Sequence, residues 1–333
     1  MRICVYGAGA IGGYLAGFLA QGGAEVSVVA RGAHLQAIRD YGLTVETPDS
    51  TVNVRLAASD NTAELGAQDA VIVTVKAPSL PAVAAGIGPL LGPATPVAFI
   101  GNGIPWWYFQ SHGGQFDGQR LPLLDPGGAL WNAVAPERVI GGVAWPASSV
   151  PAPGVVRLLS GATRGTVLGT PSGAKTAGLT ALAGAFRAAQ LPVTVTPDIR
   201  DVIWEKLAFN LSAGPMCVLT AAPVRATHEE PVLVAASRRA MAEAQALIRA
   251  TGRHVSVDVE RTVEVNMKLG HRPSILQDLT TGRPMEIDAL YTVPLEMARM
   301  AGVPMPTLEF LAALIRVRAR EAGLYPAKAP GRG

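Results

Sequence analysis

Short runs rich in β-branched residues alternate with longer, helix-compatible stretches in the first part of the chain. This alternation is typical of a parallel sheet with helices packed on its faces. The runs predicted to form strands of that sheet are residues 3–6, 25–30, 70–75 and 96–100. The first domain is therefore predicted to be an α/β domain of the Rossmann type.

Two further groups of segments complete this domain. Residues 43–46 and 52–56 flank the turn-forming Pro48, Asp49 and Ser50, which predicts a peripheral hairpin. We also expect β-strands and one helix in the segments that follow the parallel sheet. The predicted strands are residues 139–143, 155–159, 166–168 and 193–195, and the predicted helix is residues 174–189.

Helical periodicity replaces the strand pattern from Pro197 onward. We predict a boundary there, because Asp198 can accept hydrogen bonds from the first free amides of a helix. The predicted organisation is an α/β domain at 1–196 and an all-α domain at 197–325. The residues 326–333 are rich in Pro, Gly and basic side chains, and we expect a disordered tail.

Composition narrows the class of protein. The 333 residues are 49% hydrophobic and 16% charged, enough for two domains with sizeable cores. A net charge of only +3 with 5% aromatic residues argues against nucleic-acid binding. Two cysteines cannot form a disulfide framework, which favours the cytoplasm. Gly and Pro interrupt the apolar runs, so no membrane span is expected.

A glycine-rich hexapeptide follows the first predicted strand and precedes a predicted helix. It consists of Gly7, Ala8, Gly9, Ala10, Ile11 and Gly12. In this context Gly7 permits the tight turn, Gly9 lets the backbone approach a pyrophosphate, and Gly12 allows close packing of helix on strand. The motif predicts a dinucleotide-binding loop.

The end of the second strand distinguishes NADPH from NADH. Arg31 stands there, and residues 28–32 contain no acidic side chain that could bind the ribose hydroxyls. A basic residue at this position can pair with a 2′-phosphate, so NADPH is the expected cofactor. The alternative is that Arg31 is a solvated charge at the sheet edge, and His34 beside it is interpreted as a surface residue.

Polar side chains also follow the third and fourth predicted strands. Lys76 and Asn102 stand at these strand ends, where ligands bind in open parallel sheets. Taken alone, Lys76 could be an ordinary solvated lysine, and Asn102 could belong to an ordinary turn. In the second domain Lys206 and Asn210 share a helix face, as do Ser274 and Asp278.

Five motifs in this order resemble the ketopantoate reductase family over nearly the whole chain. They are residues 7–12, 75–77, 101–103, 204–210 and 274–288. The resemblance implies reduction of the ketone of 2-dehydropantoate (ketopantoate) by NADPH, with substrate held between a Rossmann-type domain and a helical domain. It further implies a place in pantothenate and coenzyme A biosynthesis.

The resemblance also implies roles for individual residues. Lys206 matches the lysine that donates a proton to the ketone oxygen, a general-acid role best served by a lowered pKa. Glu286, near the start of a helix that Pro284 could initiate, matches the glutamate that orients the substrate hydroxyl. Asn102 matches an asparagine beside the nicotinamide and the reacting carbonyl.

The remaining matched residues are expected to bind the substrate or the cofactor, or to support the site. Asn210 and Ser274 match groups that contact the substrate, and Asp278 is placed with them as a supporting residue, as is Asp288. Arg31 and Lys76 match positions that contact the cofactor. Asn102 and Glu286 are expected to lie against the cofactor as well as the substrate.

The chain departs from the family pattern at three places. Gly214 replaces an asparagine, so one hydrogen bond to substrate is expected to be missing. The segment 289–294 ends in Pro294, which should kink the helix. Trp106 and the aromatic residues 107–108 follow the asparagine turn and either anchor a loop in the core or line the substrate cleft.

Two alternatives to ketopantoate reduction follow. A cleft lined by the aromatic residues would suit a bulkier 2-keto acid. A non-catalytic NADP-binding sensor would keep the fold without needing Lys206 and Glu286. A homodimer is compatible with the sequence, and no metal site is expected because the cysteines and histidines lack ligand spacing.

Overall fold

The computed structural model describes residues 1–160 and 162–326, which fall into two units. The first unit holds Met1–Gly101 and Pro105–Val202. The second unit holds Asn102–Ile104 and the chain from Ile203 onward. The predicted tail 326–333 lies outside the described residues except for Pro326.

All strands of the described chain belong to the first unit. They are Arg2–Tyr6 (β1), Glu25–Val29 (β2), Leu43–Glu46 (β3), Thr51–Val54 (β4), Ala57–Ser59 (β5), Ala70–Val73 (β6), Val97–Ile100 (β7), Val139–Ala144 (β8), Ala147–Ala152 (β9), Val155–Ser160 (β10), Thr166–Gly169 (β11) and Val193–Val195 (β12).

Eight of these strands form the main sheet in the order β12-β11-β8-β7-β6-β1-β2-β5. Every neighbouring pair is parallel except β8 with β11. The strands β6, β7 and β8 are buried along their whole length, as expected for strands covered on both faces. The predicted Rossmann-type α/β fold is confirmed.

The predicted hairpin is present and belongs to a second sheet, ordered β4-β3-β10-β9. Strand β3 pairs antiparallel with β4 and parallel with β10. The run 155–159 is therefore part of this smaller sheet. Val45 and Val156 of this sheet approach Gly17 and Gly13 of the first helix, so closely that a Cβ on Gly17 would lie 2.5 Å from the Val45 side chain.

The helices are divided between the units. They are Ala10–Gln21 (α1), Gly32–Tyr41 (α2), Leu80–Gly86 (α3), Ala129–Val134 (α4), Ala177–Ala188 (α5), Ile199–Thr220 (α6), Val224–His228 (α7), Pro231–Ala250 (α8), Val259–Asn266 (α9), Ser274–Thr280 (α10), Val293–Met300 (α11) and Pro306–Glu321 (α12).

The described part of the second unit contains helices and no strand, so the predicted all-α character is confirmed. Its core includes the fully buried Leu207, Met241, Leu247 and Ile315. The units divide inside the first turn of α6, whereas the sequence placed the boundary just before that helix. The segment Asn102–Ile104 also belongs to the second unit, which no sequence pattern indicated.

A π-helical turn, Asp288–Thr292, directly precedes α11. The Val293 N–H donates to the Asp288 carbonyl, five residues back. Pro294 is the second residue of α11 and lies inside the continuous helical stretch 287–300, so its missing N–H removes one donor from that stretch. The distortion expected from Pro294 therefore takes the form of this wider turn. Pro284 does not initiate the helix, which begins at Ile287.

Candidate active site

The glycine-rich loop connects β1 to α1 in the first unit. Gly7 has a φ of +104°, which a residue with a side chain adopts only under strain. A Cβ on Gly12 would collide with the Gly7 carbonyl oxygen, whereas a Cβ on Gly9 would point into open space. The helix begins at Ala10 with no side-chain cap, so its first amides remain available to an anion.

Two side chains fix the carbonyl groups of this loop. The Thr74 hydroxyl donates to the Gly7 carbonyl at 2.6 Å. His34 lies 2.7 Å from the Ala8 carbonyl through Nε2, and its Nδ1 accepts from the Gly154 N–H at 3.0 Å. A carbonyl can only accept, so the neutral ring carries its proton on Nε2.

These two residues were missed or misjudged from the sequence. His34, interpreted from the sequence as a surface residue, is half-buried and hydrogen-bonded to the loop, which the sequence did not indicate. Thr74 could have been found, because it stands at a strand end just before Lys76. The same positional signal that selected Lys76 applies to it.

Arg31 and Lys76 lie near the carboxyl ends of β2 and β6. Arg31 is exposed and is the residue before the first turn of α2. The Arg31 guanidinium lies beside the Tyr6 hydroxyl at the end of β1 and forms a hydrogen bond with it. Burial raises the pKa of Tyr6, and the charge and hydrogen bond of Arg31 partly offset that rise. Lys76 is half-buried, and its carbonyl accepts from the Ser79 N–H at 2.8 Å.

In the second unit, α6 carries Lys206 and Asn210 one turn apart, both half-buried. The neighbouring Trp204, Leu207 and Leu211 are completely buried. These apolar side chains fix the rotation of α6 about its axis. The rotation leaves Lys206 and Asn210 together at one edge of the buried face.

The same unit brings Asn102 and Glu286 together. Asn102 Nδ2 donates to Glu286 Oε2 at 3.2 Å across 184 positions of sequence. Glu286 is only 5% exposed and directly precedes the helical residue Ile287. A buried carboxylate held by an amide is oriented, and carboxylate oxygens can accept hydrogen bonds from a hydroxyl group.

The other predicted substrate residues lie on α10. Ser274 is its exposed first residue, and Asp278 is buried one turn later. Arg283 Nε lies 3.6 Å from the Asp278 carboxylate, and the Arg283 N–H donates to the Asp278 carbonyl at 2.9 Å. The position of Asp278 fits a residue that supports the turn after α10.

The aromatic segment after the asparagine turn is core. Trp106, Trp107 and Tyr108 belong to the first unit and are each no more than 2% exposed. Trp107 packs so closely on β8 that a Cβ on Gly141 would lie 2.5 Å from its ring. Arg200 Nε donates to the Tyr108 carbonyl at 2.8 Å. The interpretation as core anchors is therefore confirmed, and these buried rings give no support to a cleft for a bulkier substrate.

Neither a membrane-spanning helix nor a metal-binding cluster is found among the described residues. Across 1–160 and 162–326, no helix is long and apolar enough to span a bilayer. In the same ranges, no three side chains of His, Cys, Asp or Glu are grouped to hold a metal ion. Cys4 and Cys217 are buried free thiols.

Comparison with known proteins gives a consistent result. The ketopantoate reductase PanE/ApbA family model matches residues 3–106, and the model of the C-terminal part of that family matches residues 198–319. The 2-dehydropantoate 2-reductase of Mesorhizobium japonicum is 44% identical over 98% of this chain and 100% of its own length.

Solved structures share the fold. A protein of Ralstonia solanacearum MolK2 that is assigned as a ketopantoate reductase superposes with a TM-score of 0.91 at 39% identity, over 97% of this chain and 99% of its own. D-mandelate dehydrogenase with NADH and anilino(oxo)acetate superposes with a TM-score of 0.80 at 21% identity, over 97% of this chain and 100% of its own. The latter likeness concerns the fold alone.

The parallel sheet, its glycine-rich loop and the helical unit that follows define an oxidoreductase dependent on NAD(P). Two family models and a relative matched over its full length narrow that class. The chain belongs to the ketopantoate reductase family.

Proposed function

We propose that this protein reduces 2-dehydropantoate to pantoate with NADPH. The observation that carries the proposal is the hydrogen bond from the half-buried Asn102 to the buried Glu286, in a chain 44% identical to a 2-dehydropantoate 2-reductase. Glu286 accepts a hydrogen bond from the substrate hydroxyl, and the amide of Asn102 holds the carboxylate in the orientation that this requires.

Proton transfer is assigned to Lys206. NADPH, when bound, supplies the hydride that adds to the ketone carbon. The Lys206 ammonium donates a proton to the ketone oxygen, so that the π bond of the carbonyl is replaced by a C–H and an O–H bond while the C–O single bond remains. Asn210, one turn along α6, and Ser274 contact the polar ends of the substrate. Asp278 supports α10.

Cofactor binding is assigned to the first unit. The residues present fit a dinucleotide, because a side chain is excluded at Gly12 while the space beside Gly9 is open. The amides that start α1 would receive the pyrophosphate. Lys76 would contact the cofactor, and Arg31 would pair with the 2′-phosphate, which favours NADPH.

The test is consumption of NADPH and of NADH by the purified protein with ketopantoate and a panel of bulkier 2-keto acids. We expect turnover of ketopantoate with NADPH, a loss of about 10²-fold or more in kcat for Lys206→Ala, and full activity for the exposed control Lys268→Ala. NADPH binding without turnover of any keto acid would refute the proposal in favour of a sensor.

The Arg31→Ala variant tests the proposed preference for NADPH over NADH. Arg31→Ala should weaken NADPH binding by about tenfold, the value of one charge-assisted contact, and leave NADH binding nearly unchanged. Equal losses of affinity for both coenzymes would show that Arg31 supports the loop and does not contact the 2′-phosphate.

We further propose a homodimer located in the cytoplasm, acting in pantothenate and coenzyme A synthesis. The exposed side chains of Phe310, Leu314 and Val317 share one face of α12, which supports a contact between two copies. The buried thiols Cys4 and Cys217 suit a reducing compartment. Light scattering of the protein and of Phe310→Asp tests the dimer, and a monomeric wild type would refute it.

A further inference from the structure

The π-helical turn leaves one backbone carbonyl without a donor from its own helix. In a regular helix the Ala289 carbonyl would accept from Val293, but the Val293 N–H donates to Asp288 instead. The next residue, Pro294, has no N–H. The Ala289 carbonyl is therefore open to a donor from elsewhere in the unit.

That donor comes from the segment that carries Asn102. The Ile104 N–H donates to the Ala289 carbonyl at 2.9 Å. Gly103 lies between them with a φ of +75°, so close that a Cβ there would collide with the Ala289 carbonyl oxygen. The side chain of Asn102 then reaches Glu286 at 3.2 Å.

We propose that Pro294 and the π turn position Asn102 and Glu286 for the reaction, an inference that rests on the proposed function. Two hydrogen bonds, one from the Asn102 side chain and one from the Ile104 backbone, join a three-residue segment to helix positions 286 and 289. Two attachment points prevent the segment from rotating about either bond. A residue with an N–H at 294 supplies a competing donor to the same carbonyl.

The first experiment measures amide hydrogen exchange of peptides covering residues 102–106, without substrate or cofactor. Gly103→Ala should abolish protection of the Ile104 amide, and Pro294→Ala should reduce it. Gly302→Ala is the matched control for the first, because Gly302 also has a positive φ, +68°, with open space around its Cβ position. Pro306→Ala, at the start of α12, is the control for the second.

The second experiment measures kinetics with ketopantoate. Loss of one backbone hydrogen bond should lower kcat/KM by about fivefold in Pro294→Ala, with kcat falling more than KM rises. In the Asn102→Ala background the same substitution should change kcat/KM by less than about twofold, because the group it positions is gone. The controls Gly302→Ala and Pro306→Ala should retain wild-type values.

The outcomes separate the two proposals. Unchanged protection of Ile104 in both Pro294→Ala and Gly103→Ala overturns the positioning role, whatever the activity. Equal losses from Pro294→Ala with and without Asn102 also overturn it, since they reveal a general structural effect. A wild type that shows the predicted exchange but never reduces ketopantoate refutes the proposed function and leaves the backbone arrangement standing.

Discussion

Replacing Thr74 by valine should weaken NADPH binding without touching any group that contacts the cofactor. Valine keeps the shape of threonine and removes the hydroxyl that donates to the Gly7 carbonyl at 2.6 Å. Gly7 is half-buried and held at a φ of +104°. Its carbonyl loses its side-chain donor, and the loop loses one of the hydrogen bonds that hold it in this conformation.

The expected magnitude follows from that single bond. A hydrogen bond contributes about 0.5–1.5 kcal/mol net, and a buried group left without its partner costs about 1–3 kcal/mol. If the loop proposed to bind the pyrophosphate is destabilised by about 1–2 kcal/mol, the Kd for NADPH should rise about 5- to 30-fold.

Calorimetric titration with NADPH measures this Kd, and Thr74→Ser provides the matched control because serine keeps the hydroxyl. Thr74→Ser should bind within about threefold of wild type, since its hydroxyl can still reach the Gly7 carbonyl. Equal weakening in both variants, or wild-type binding by Thr74→Val, would refute the reasoning. Thermal melts show whether each variant is folded at the titration temperature.

Three further predictions concern residues that the sequence alone did not place. His34→Ala removes the donor to the Ala8 carbonyl and should weaken NADPH binding about five- to tenfold, whereas the amide of His34→Gln can still donate; equal Kd values for the two variants would contradict this. Burial lowers the pKa of His228, so below about pH 6.5 the unfolded chain takes up a proton that the folded chain does not. The folded state should therefore become less stable as the pH decreases. Melts from about pH 5 to 8 should show this loss in wild type and less of it in His228→Gln, and identical pH profiles would count against it. Trp107→Ala leaves a cavity against Gly141 and should lower the free energy of unfolding by about 3–5 kcal/mol in urea titrations, with unchanged preference among 2-keto acids; an altered preference would revive the cleft interpretation.

The main sheet was predictable because its signal is local. Strands β1, β6 and β7 are short apolar runs bounded by glycine and polar residues, and burial on both faces makes such runs continuous. Each element is visible in a few neighbouring residues. The change to helical periodicity after Pro197 is local in the same sense.

The second sheet was not predictable, because its pairing is not local. Strand β10 lies parallel to β3, and the Arg157–Glu46 ion pair between them spans 111 positions of sequence. An apolar run at 155–159 shows that a strand forms but does not identify its partner. Strand β9 contains Ser148, Ser149 and Pro151, so it lacks even the alternating pattern.

The candidate site divides in the same way. Lys76 and Asn102 could be proposed from strand ends, and the glycine loop from its spacing. The choice of Lys206 and Glu286 over other charged residues came only from the family resemblance. The contact of Asn102 with Glu286 depends on a three-residue segment that leaves the first unit for the second, and no periodicity encodes such an excursion.

Two departures from the family pattern, at Gly214 and at 289–294, lie against each other in the second unit. A Cβ on Gly214 would lie 3.0 Å from the Tyr291 hydroxyl, and Tyr291 is fully buried in the π turn. That hydroxyl finds no hydrogen-bond partner among the described residues, and burial raises its pKa, so it stays neutral. A side chain at 214 would therefore require the Tyr291 hydroxyl to shift by a few tenths of an ångström. Glycine at 214 thus leaves room for the aromatic residue of the turn whose Ala289 carbonyl accepts from the Ile104 N–H. Restoring an asparagine at 214 alone would push Tyr291 against that turn and loosen the Asn102–Glu286 pair, whereas shortening Tyr291 at the same time would make room for the amide.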